Sequence, residues 1–337
     1  MKPSITSFSV LAVATLTLAV GSVSAADQPA PEKNVHEKIV DTMHTLAKGP
    51  HVGFRSNHAK GIVVTGSFTP SASAPSLSKA PQFAKTVPVI VRFSDPTGVP
   101  TLPDASPDAS PHGIAIRFQL PDGAITDIVS ISYNGFPVAT PEDFLTLLNA
   151  IASIKPDTPH PNQVEQFLAT HPAAKTFVTT PKPPPVSFGT LAYFGVNAFK
   201  FTNAKGESQY ARYRIEPVGG VESLTKEQVE KASPNYLMTE LPQRIAKGPV
   251  KFRISAQIAA PGDPINDGTM VWPNDRKLVE LGILSLDKTV ADSAADEKKL
   301  TFNPLTLVDG IEPSADPVLL SRPIAYAVSV GRRLSGK

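Results

Sequence analysis

The stretch RSNHAKG, residues 55–61, leads directly into GIVVTGSF, residues 61–68, whose apolar and β-branched residues predict a β-strand. His58 therefore lies at the start of a strand, with Arg55 three positions before it. A histidine near a strand start is often a hydrogen-bonded structural residue, but imidazole is also well suited to proton transfer near neutral pH. His58 is the first candidate catalytic residue.

Further runs along the chain have the composition and length of strands or the spacing of helices. The strand patterns are 87–94, 113–120, 125–133, 198–202, 209–216 and 250–259. The helical patterns are 32–48, 141–154, 163–170 and 233–247. Because strands and helices do not alternate regularly, the chain is predicted to be an α+β fold with an antiparallel sheet.

Two short motifs have the composition of helix starts. TPED, residues 140–143, offers a threonine N-cap, a proline in the first turn and acids near the positive helix end. SRP, residues 321–323, predicts a second start, and Arg322, Tyr326 and Arg333 then share one helix face. Taken alone, that face also fits a surface helix with an ordinary arginine–tyrosine contact.

Composition excludes several classes of protein. The 337 residues are 41% hydrophobic and 18% charged, so the chain can build a core, as two domains or as one large barrel. The formal net charge of +2 argues against a nucleic-acid-binding protein, which would be strongly basic. The absence of cysteine excludes disulfides, zinc–thiolate sites, iron–sulfur clusters and thiol catalysis.

The N-terminus has the pattern of a secretory signal. An apolar run over 10–20 is broken by Gly21, and the small residues at 23–25 suit cleavage by a signal peptidase. The run is short for a membrane span, although an uncleaved anchor is the alternative. We expect a signal peptide over 1–25, a mature chain over 26–337, no membrane attachment after cleavage and a periplasmic location.

Several segments, taken in order, resemble the heme catalases. They are RSNHAKG (55–61), VRFS (91–94), SPHGIAIRF (110–118), WP and LVELG within 272–282, and FNP, GIEPS and RPIAY within 302–326. The chain is most similar to the short exported members called catalase-related peroxidases. The resemblance implies an antiparallel eight-stranded β-barrel with flanking helices and heme b beside the barrel. It also implies that the C-terminal helical, NADPH-carrying domain of larger catalases is missing.

By this resemblance, Tyr326 is the expected proximal ligand of the heme iron. Arg322, one helical turn earlier, would supply the positive charge that favours a phenolate. His58 would take the proton from a bound hydroperoxide and return it to the leaving oxygen. Ser94 matches the serine that orients this imidazole through a hydrogen bond.

The remaining residue roles also follow from the resemblance. Phe144 corresponds to the aromatic residue that packs over the heme. Asn134 is the candidate for the family's distal asparagine when the sequence is counted back from Pro137, but counting forward from Asp127 does not reach it. The residues matching heme-propionate contacts are Arg55, Arg92 and Arg333.

Departures from the family pattern point to the activity. Asn57 replaces a bulky apolar residue, Pro96 stands where a channel valine is expected, and Ser110 replaces an aspartate of the main channel. A more polar approach would admit larger peroxides and reducing substrates. We therefore expect a peroxidase that reduces hydrogen peroxide or organic hydroperoxides and protects against oxidative stress, with weak or no dismutation.

Two other functions stay open at this point. The first is rearrangement of a fatty-acid hydroperoxide, as in enzymes that resemble coral allene oxide synthases. The second is heme binding without catalysis, which the retained His58 and Ser94 argue against. The expected partners are a peroxide and an unknown small-molecule electron donor, with no nucleic acid, and the expected state is a monomer or homodimer.

Overall fold

The computed structural model describes residues 32–291 and 293–336, so the predicted signal peptide lies outside the described residues. The strands are β1 (Gly61–Pro70), β2 (Val87–Ser94), β3 (Gly113–Gln119), β4 (Ile125–Ile131), β5 (Tyr193–Phe194), β6 (Phe199–Thr202), β7 (Ser208–Pro217), β8 (Val250–Ile258), β9 (Leu278–Thr289) and β10 (Ile311–Pro313). All neighbouring strands are antiparallel. Strand β7 pairs with β8 and so closes the ring β7-β5-β4-β3-β2-β1-β9-β8, while β6 and β10 extend from β7 outside it. The predicted eight-stranded antiparallel barrel is confirmed.

Helices flank this barrel. They are α1 (Val35–Leu46), α2 (Ala74–Leu77), α3 (Pro141–Ala152), α4 (Gln163–Thr170), α5 (Pro172–Thr179), α6 (Lys226–Lys231), α7 (Tyr236–Lys247), α8 (Ser293–Lys299) and α9 (Pro317–Ser335). Helices α1, α3 and α9 contact one another, and α7 packs against β9. Within the described ranges, no helix combines the length and apolar composition needed to span a bilayer.

The barrel interior is filled by side chains and forms the main core. Phe93 stacks on Phe188 with ring centroids 5.4 Å apart, and Phe68 meets Phe118 edge-on at 5.2 Å. Successive residues of a strand point to opposite faces, so the neighbours of Phe93 on β2 point out of the barrel. The outer face of β2–β4 is therefore the surface that is available for a site.

The helix that carries Tyr326 begins earlier than the SRP motif predicts. Helix α9 starts at Pro317, and the carboxylate of Asp316 accepts hydrogen bonds from the amides of Val318 and Leu319. An aspartate N-cap followed by proline is the stronger start signal. Pro323 consequently lies inside the helix, where packing of α9 against α1 and α3 offsets its missing amide.

Candidate active site

One cavity lies between the outer face of β2–β4 and helices α1, α3 and α9. We call the side formed by β2–β4 and the 55–58 segment the barrel wall, and the side formed by α9 the helix wall. Most residues singled out in the sequence line this cavity. They are Arg55, His58, Arg92, Ser94, Phe144, Arg322, Tyr326 and Arg333.

On the barrel wall, His58 and Ser94 form a hydrogen-bonded pair. The Nδ1 atom of His58 lies 3.0 Å from the Oγ atom of Ser94. Gly113 lies against both side chains, because a Cβ atom there would be 2.9 Å from Cε1 of His58 and 2.9 Å from Oγ of Ser94. A residue with a side chain would clash with both groups, so a glycine at position 113 leaves the space that the His58 imidazole occupies.

The backbone of His58 adopts a left-handed conformation with φ 55°, which is unusual for a residue with a side chain. The amide of His58 donates to the carbonyl oxygen of Pro96 at 3.2 Å, and the amide of Ala59 donates to Thr97 at 2.8 Å. Arg92 Nη2 donates to the carbonyl oxygen of His58 at 2.9 Å. A strained backbone conformation of this kind is kept only where several surrounding hydrogen bonds hold it, as these three do.

The environment keeps the His58 imidazole neutral. Burial, followed by the positive charges of Arg92, Arg322 and Arg55, lowers the pKa of His58 to about 3. A neutral ring with Nδ1 bonded to Ser94 leaves Nε2 for another partner. The arrangement can therefore take up a proton from a molecule in the cavity.

On the helix wall, Arg322 donates from Nε to the phenol oxygen of Tyr326 at 2.9 Å, one helical turn away. Arg322 also donates from Nη1 to Oδ1 of Asn197 at 3.0 Å. Asn197 in turn donates to Oδ2 of Asp316 at 2.7 Å. This chain of bonds fixes the guanidinium group, which stabilises negative charge on the phenol oxygen.

A cluster of arginines lies where the two walls meet. Arg92 Nη2 and Arg55 Nη1 lie 2.8 and 3.6 Å from Oε2 of Glu297 on α8. Arg333 donates to the carbonyl oxygen of Leu300 at 3.2 Å, and its Nε atom is buried without a hydrogen-bond partner among the described residues. Burial, followed by the charges of Arg92 and Arg333, lowers the pKa of Arg55 to about 8.

Residues 36–337 match the sequence profile of the family described as Catalase. The chain belongs to the catalase family. A protein named catalase-related peroxidase from Synechococcus elongatus is 33% identical over 295 residues, which cover 86% of this chain and 86% of that protein. Another protein of that name from Mycolicibacterium paratuberculosis is 34% identical, with coverages of 85% and 90%.

Larger catalases share the fold. A catalase from Pseudomonas syringae is 30% identical, and the match covers 80% of this chain but only 55% of that protein. The crystal structure of a fungal catalase superposes with a TM-score of 0.74 at 23% identity, covering 88% of this chain and 62% of that one. This catalase-family chain therefore spans little more than half the length of its larger relatives.

The family implies a heme cofactor, and the arginine cluster fits one. Three guanidinium groups face the single carboxylate of Glu297, which leaves an excess of two positive charges. Two further carboxylates, as on a heme, would balance this charge and satisfy the buried Nε of Arg333. The cavity also offers apolar surface for a macrocycle, including Phe144, which contacts Phe136 with ring centroids 5.6 Å apart.

The structure does not bring Asn134 to the cavity of this catalase-family chain. Strand β4 ends at Ile131, and Val129 and Ile131 both line the cavity. Asn134 follows in a bend beyond the strand and is not part of the lining described here. Counting residues back from Pro137 does not take this bend into account. In the strand ladder, Ile131 pairs with Gly113, whose position lies against the His58 ring, so the residue on this part of the wall is apolar.

Some residues at the cavity were not found by sequence reasoning. Asn197 lies in a connection between strands, and Glu297 lies on a helix that was not predicted. No local sequence pattern marks either residue as part of the site, because each contacts an arginine that is more than a hundred residues away in the sequence. Of the three departures noted in the sequence, Asn57 lines the cavity, whereas Pro96 and Ser110 do not.

Proposed function

We propose that this protein is a heme b peroxidase that reduces hydrogen peroxide and organic hydroperoxides with a small-molecule electron donor. As a member of the catalase family, the chain is an oxidoreductase that acts on peroxide. The observation that carries the finer proposal is that one cavity is lined by the His58–Ser94 pair, the Tyr326–Arg322 pair and the arginine cluster.

In this proposal, Tyr326 holds the iron through its phenol oxygen, and Arg322 stabilises the negative charge on that oxygen. Arg55, Arg92 and Arg333 bind the two propionates. When bound, the heme supplies the redox-active iron at which the peroxide bond is cleaved. Phe144 packs against the macrocycle and excludes water from the site.

His58 moves the proton in this proposal. Its neutral ring accepts the hydroperoxide proton at Nε2 in the tautomer whose Nδ1–H donates to the hydroxyl of Ser94. The imidazolium then gives the same proton to the departing oxygen, which leaves as water or an alcohol. Ser94 keeps the ring in one tautomer and one orientation throughout.

A preference for peroxidation over dismutation is supported by the composition of the barrel wall. Ile131 is apolar and pairs with Gly113 at the end of the strand ladder, and Asn57 also lines the cavity. A wall that carries Ile131 and Asn57 supports the acceptance of varied peroxides over repeated binding of hydrogen peroxide.

Steady-state assays with hydrogen peroxide, cumene hydroperoxide and an aromatic electron donor test the proposal. We expect donor oxidation with both peroxides and little oxygen evolution from hydrogen peroxide. Vigorous oxygen evolution without donor oxidation would contradict it. Rearrangement of a fatty-acid hydroperoxide without any donor would point to an isomerase, and a heme protein inert to all peroxides would point to a carrier.

The expectations on export and assembly are part of the same proposal. The apolar run over 10–20 supports export to the periplasm by a signal peptide over 1–25, with the mature chain as a monomer or homodimer that acts in protection against oxidative stress. Mass spectrometry of the mature N-terminus, cell fractionation and light scattering test these points. An intact N-terminus in the cytoplasmic fraction would contradict the export proposal.

A further inference from the structure

Four buried ionisable side chains lie next to the residues that contact His58. Asp95 follows Ser94, His112 precedes Gly113, and each is 1% exposed. The Nδ1 atom of His112 lies 3.0 Å from Oδ1 of Asp95. Lys60, two residues after His58, has its ammonium 4.0 Å from Oδ2 of Asp95. The fourth member of the group, Asp104, forms an ion pair with Lys60.

Burial of these four polar side chains lowers the stability of the fold. The Nε2 atom of His112 and the Oδ2 atom of Asp95 are both buried without a hydrogen bond within the described residues. Buried charges that are incompletely paired destabilise a fold, and apolar residues of similar volume usually serve stability better. A polar cluster at this position therefore points to a function in fixing geometry rather than in adding stability.

The Asp95–His112 bond lies at the end of the strand ladder. The pairing of β2 with β3 ends at Ser94 and Gly113, the two residues that touch the His58 ring. The side chains of the next residues on both strands are then joined by a hydrogen bond, so the link between the strands extends one residue beyond the ladder.

Backbone bonds connect the same residues to the segment of His58. The amide of Asp95 donates to the carbonyl oxygen of Lys60 at 3.0 Å. The amide and carbonyl oxygen of His112 are bonded to the hydroxyl and amide of Ser132, at 2.9 and 2.8 Å. Asp95 and His112 are thus held on both sides, and a shift of either would move Ser94 or Gly113.

We propose that Asp95 and His112 are positioning residues for the proton-transferring histidine. They act through Ser94 and Gly113, which set the orientation of the His58 imidazole, and they do not touch substrate or heme. This inference rests on the proposed function, because it assigns His58 the proton-transfer role. It concerns residues that are buried behind the barrel wall and do not line the cavity.

Matched variants of His112 test this inference in the heme-bound protein. His112→Leu removes the donor to Asp95, whereas His112→Asn keeps an amide donor close to the position of Nδ1. The readout is the rate of cyanide association with the ferric heme, because hydrogen cyanide must lose its proton to a base in the cavity. We expect a decrease of about tenfold for His112→Leu and nearly wild-type rates for His112→Asn, with unchanged heme content.

A double-mutant cycle with Ser94→Ala separates positioning from simple stability. If His112 acts through Ser94, His112→Leu has little further effect on cyanide association in the Ser94→Ala protein. If its role is only structural, His112→Leu lowers the unfolding temperature while cyanide association stays at the wild-type rate, which would overturn the inference. Equal effects in both backgrounds would overturn the route through Ser94 and leave only the route through Gly113.

Two readouts keep this test separate from the proposed function. Cyanide association does not require peroxide turnover, so a protein that binds heme but reduces no peroxide still reports the orientation of His58. If no heme binds, nitrogen-15 NMR of the His58 ring, identified with a His58→Gln variant, replaces it. An unchanged His58 resonance in His112→Leu would then refute the positioning role.

Discussion

The two walls of the cavity hold their reactive groups in different ways. On the barrel wall, a closed ring of strands fixes His58 through backbone bonds and a neutral hydrogen bond to Ser94. On the helix wall, a single helix presents Tyr326 beside the positive charge of Arg322. In the proposed function, the group that exchanges a proton is kept neutral and rigid, whereas the group that carries negative charge has a charged donor beside it.

The walls are also coupled by charge. Arg322 belongs to the helix wall, yet it is one of the three positive charges that help burial to lower the pKa of His58. A change on either wall therefore affects the other through space. Single substitutions separate the two walls, beginning with the one that is expected to remove the cofactor altogether.

Tyr326→Phe removes from the helix wall the oxygen that Arg322 contacts, and with it the expected iron ligand. We expect the heme content of the purified protein to fall by at least about tenfold, because one lost ligand bond exceeds 1.4 kcal/mol. Pyridine hemochromogen assays measure this. Tyr210→Phe, on β7 outside the cavity lining, is the control and should retain heme. Full heme retention by Tyr326→Phe would contradict the proposal that the helix wall supplies the iron ligand.

His58→Gln removes the base from the barrel wall but leaves the helix wall intact. We expect normal heme content and a peroxide reaction slower by about 10²–10⁴-fold, the usual contribution of general acid–base catalysis. Stopped-flow mixing with hydrogen peroxide measures the rate. Loss of heme together with activity would mean that His58 has a structural role on the helix side as well.

The pH dependence of stability tests how the barrel wall keeps His58 neutral. Burial and the arginines lower its pKa to about 3 in the folded protein, whereas an unfolded chain has a histidine pKa of about 6.5. Between these values the unfolded chain binds the extra proton, so the His58 contribution makes the fold less stable as pH decreases through this window. Thermal unfolding should show a steeper loss from pH 7 to 4 in wild type than in His58→Gln. Equal slopes would contradict the low pKa.

Asn197→Ala should have the smallest effect, because it removes one acceptor from Arg322 and leaves Tyr326 in place. A hydrogen bond to a charged group contributes about 1.5–3 kcal/mol, but this bond acts on the heme site only through Arg322, so we expect heme affinity to fall by less than about tenfold. Heme transfer to apomyoglobin measures this. Asn203→Ala is the control, because the side chain of Asn203 bonds to Ser76 and Glu207 and does not line the cavity. An equal loss of heme affinity in the control would refute this chain of bonds.

Sequence reasoning found the residues whose positions follow from regular structure. Tyr326 and Arg322 are four residues apart on a helix, so their spacing already predicts a common face, whereas the role of Ser94 follows only from the resemblance to the catalases. The fold class followed from the strand patterns, although β9, which closes the ring between β1 and β8, was not identified as a strand. Its pattern is interrupted by Gly282, next to Leu281, where the pairing with β8 shifts in register.

The remaining features depend on long-range packing. Asn134 and Gly135 form a local turn signal, but where the bend after β4 places Asn134 is decided by packing. Glu297 reaches Arg92 from a helix more than two hundred residues away in sequence. Buried partners such as Asp95 and His112 look like ordinary loop residues until the ends of β2 and β3 are joined.

The order of the two walls along the polypeptide has a consequence for biogenesis. The segments of the barrel wall leave the ribosome long before α9 is synthesised, so a nascent chain has the imidazole but not the phenol. If Tyr326 holds the cofactor as proposed, stable capture has to wait until α9 has been synthesised and has docked on α1 and α3. A nascent chain interrupted before α9 would carry the barrel wall without the proposed ligand.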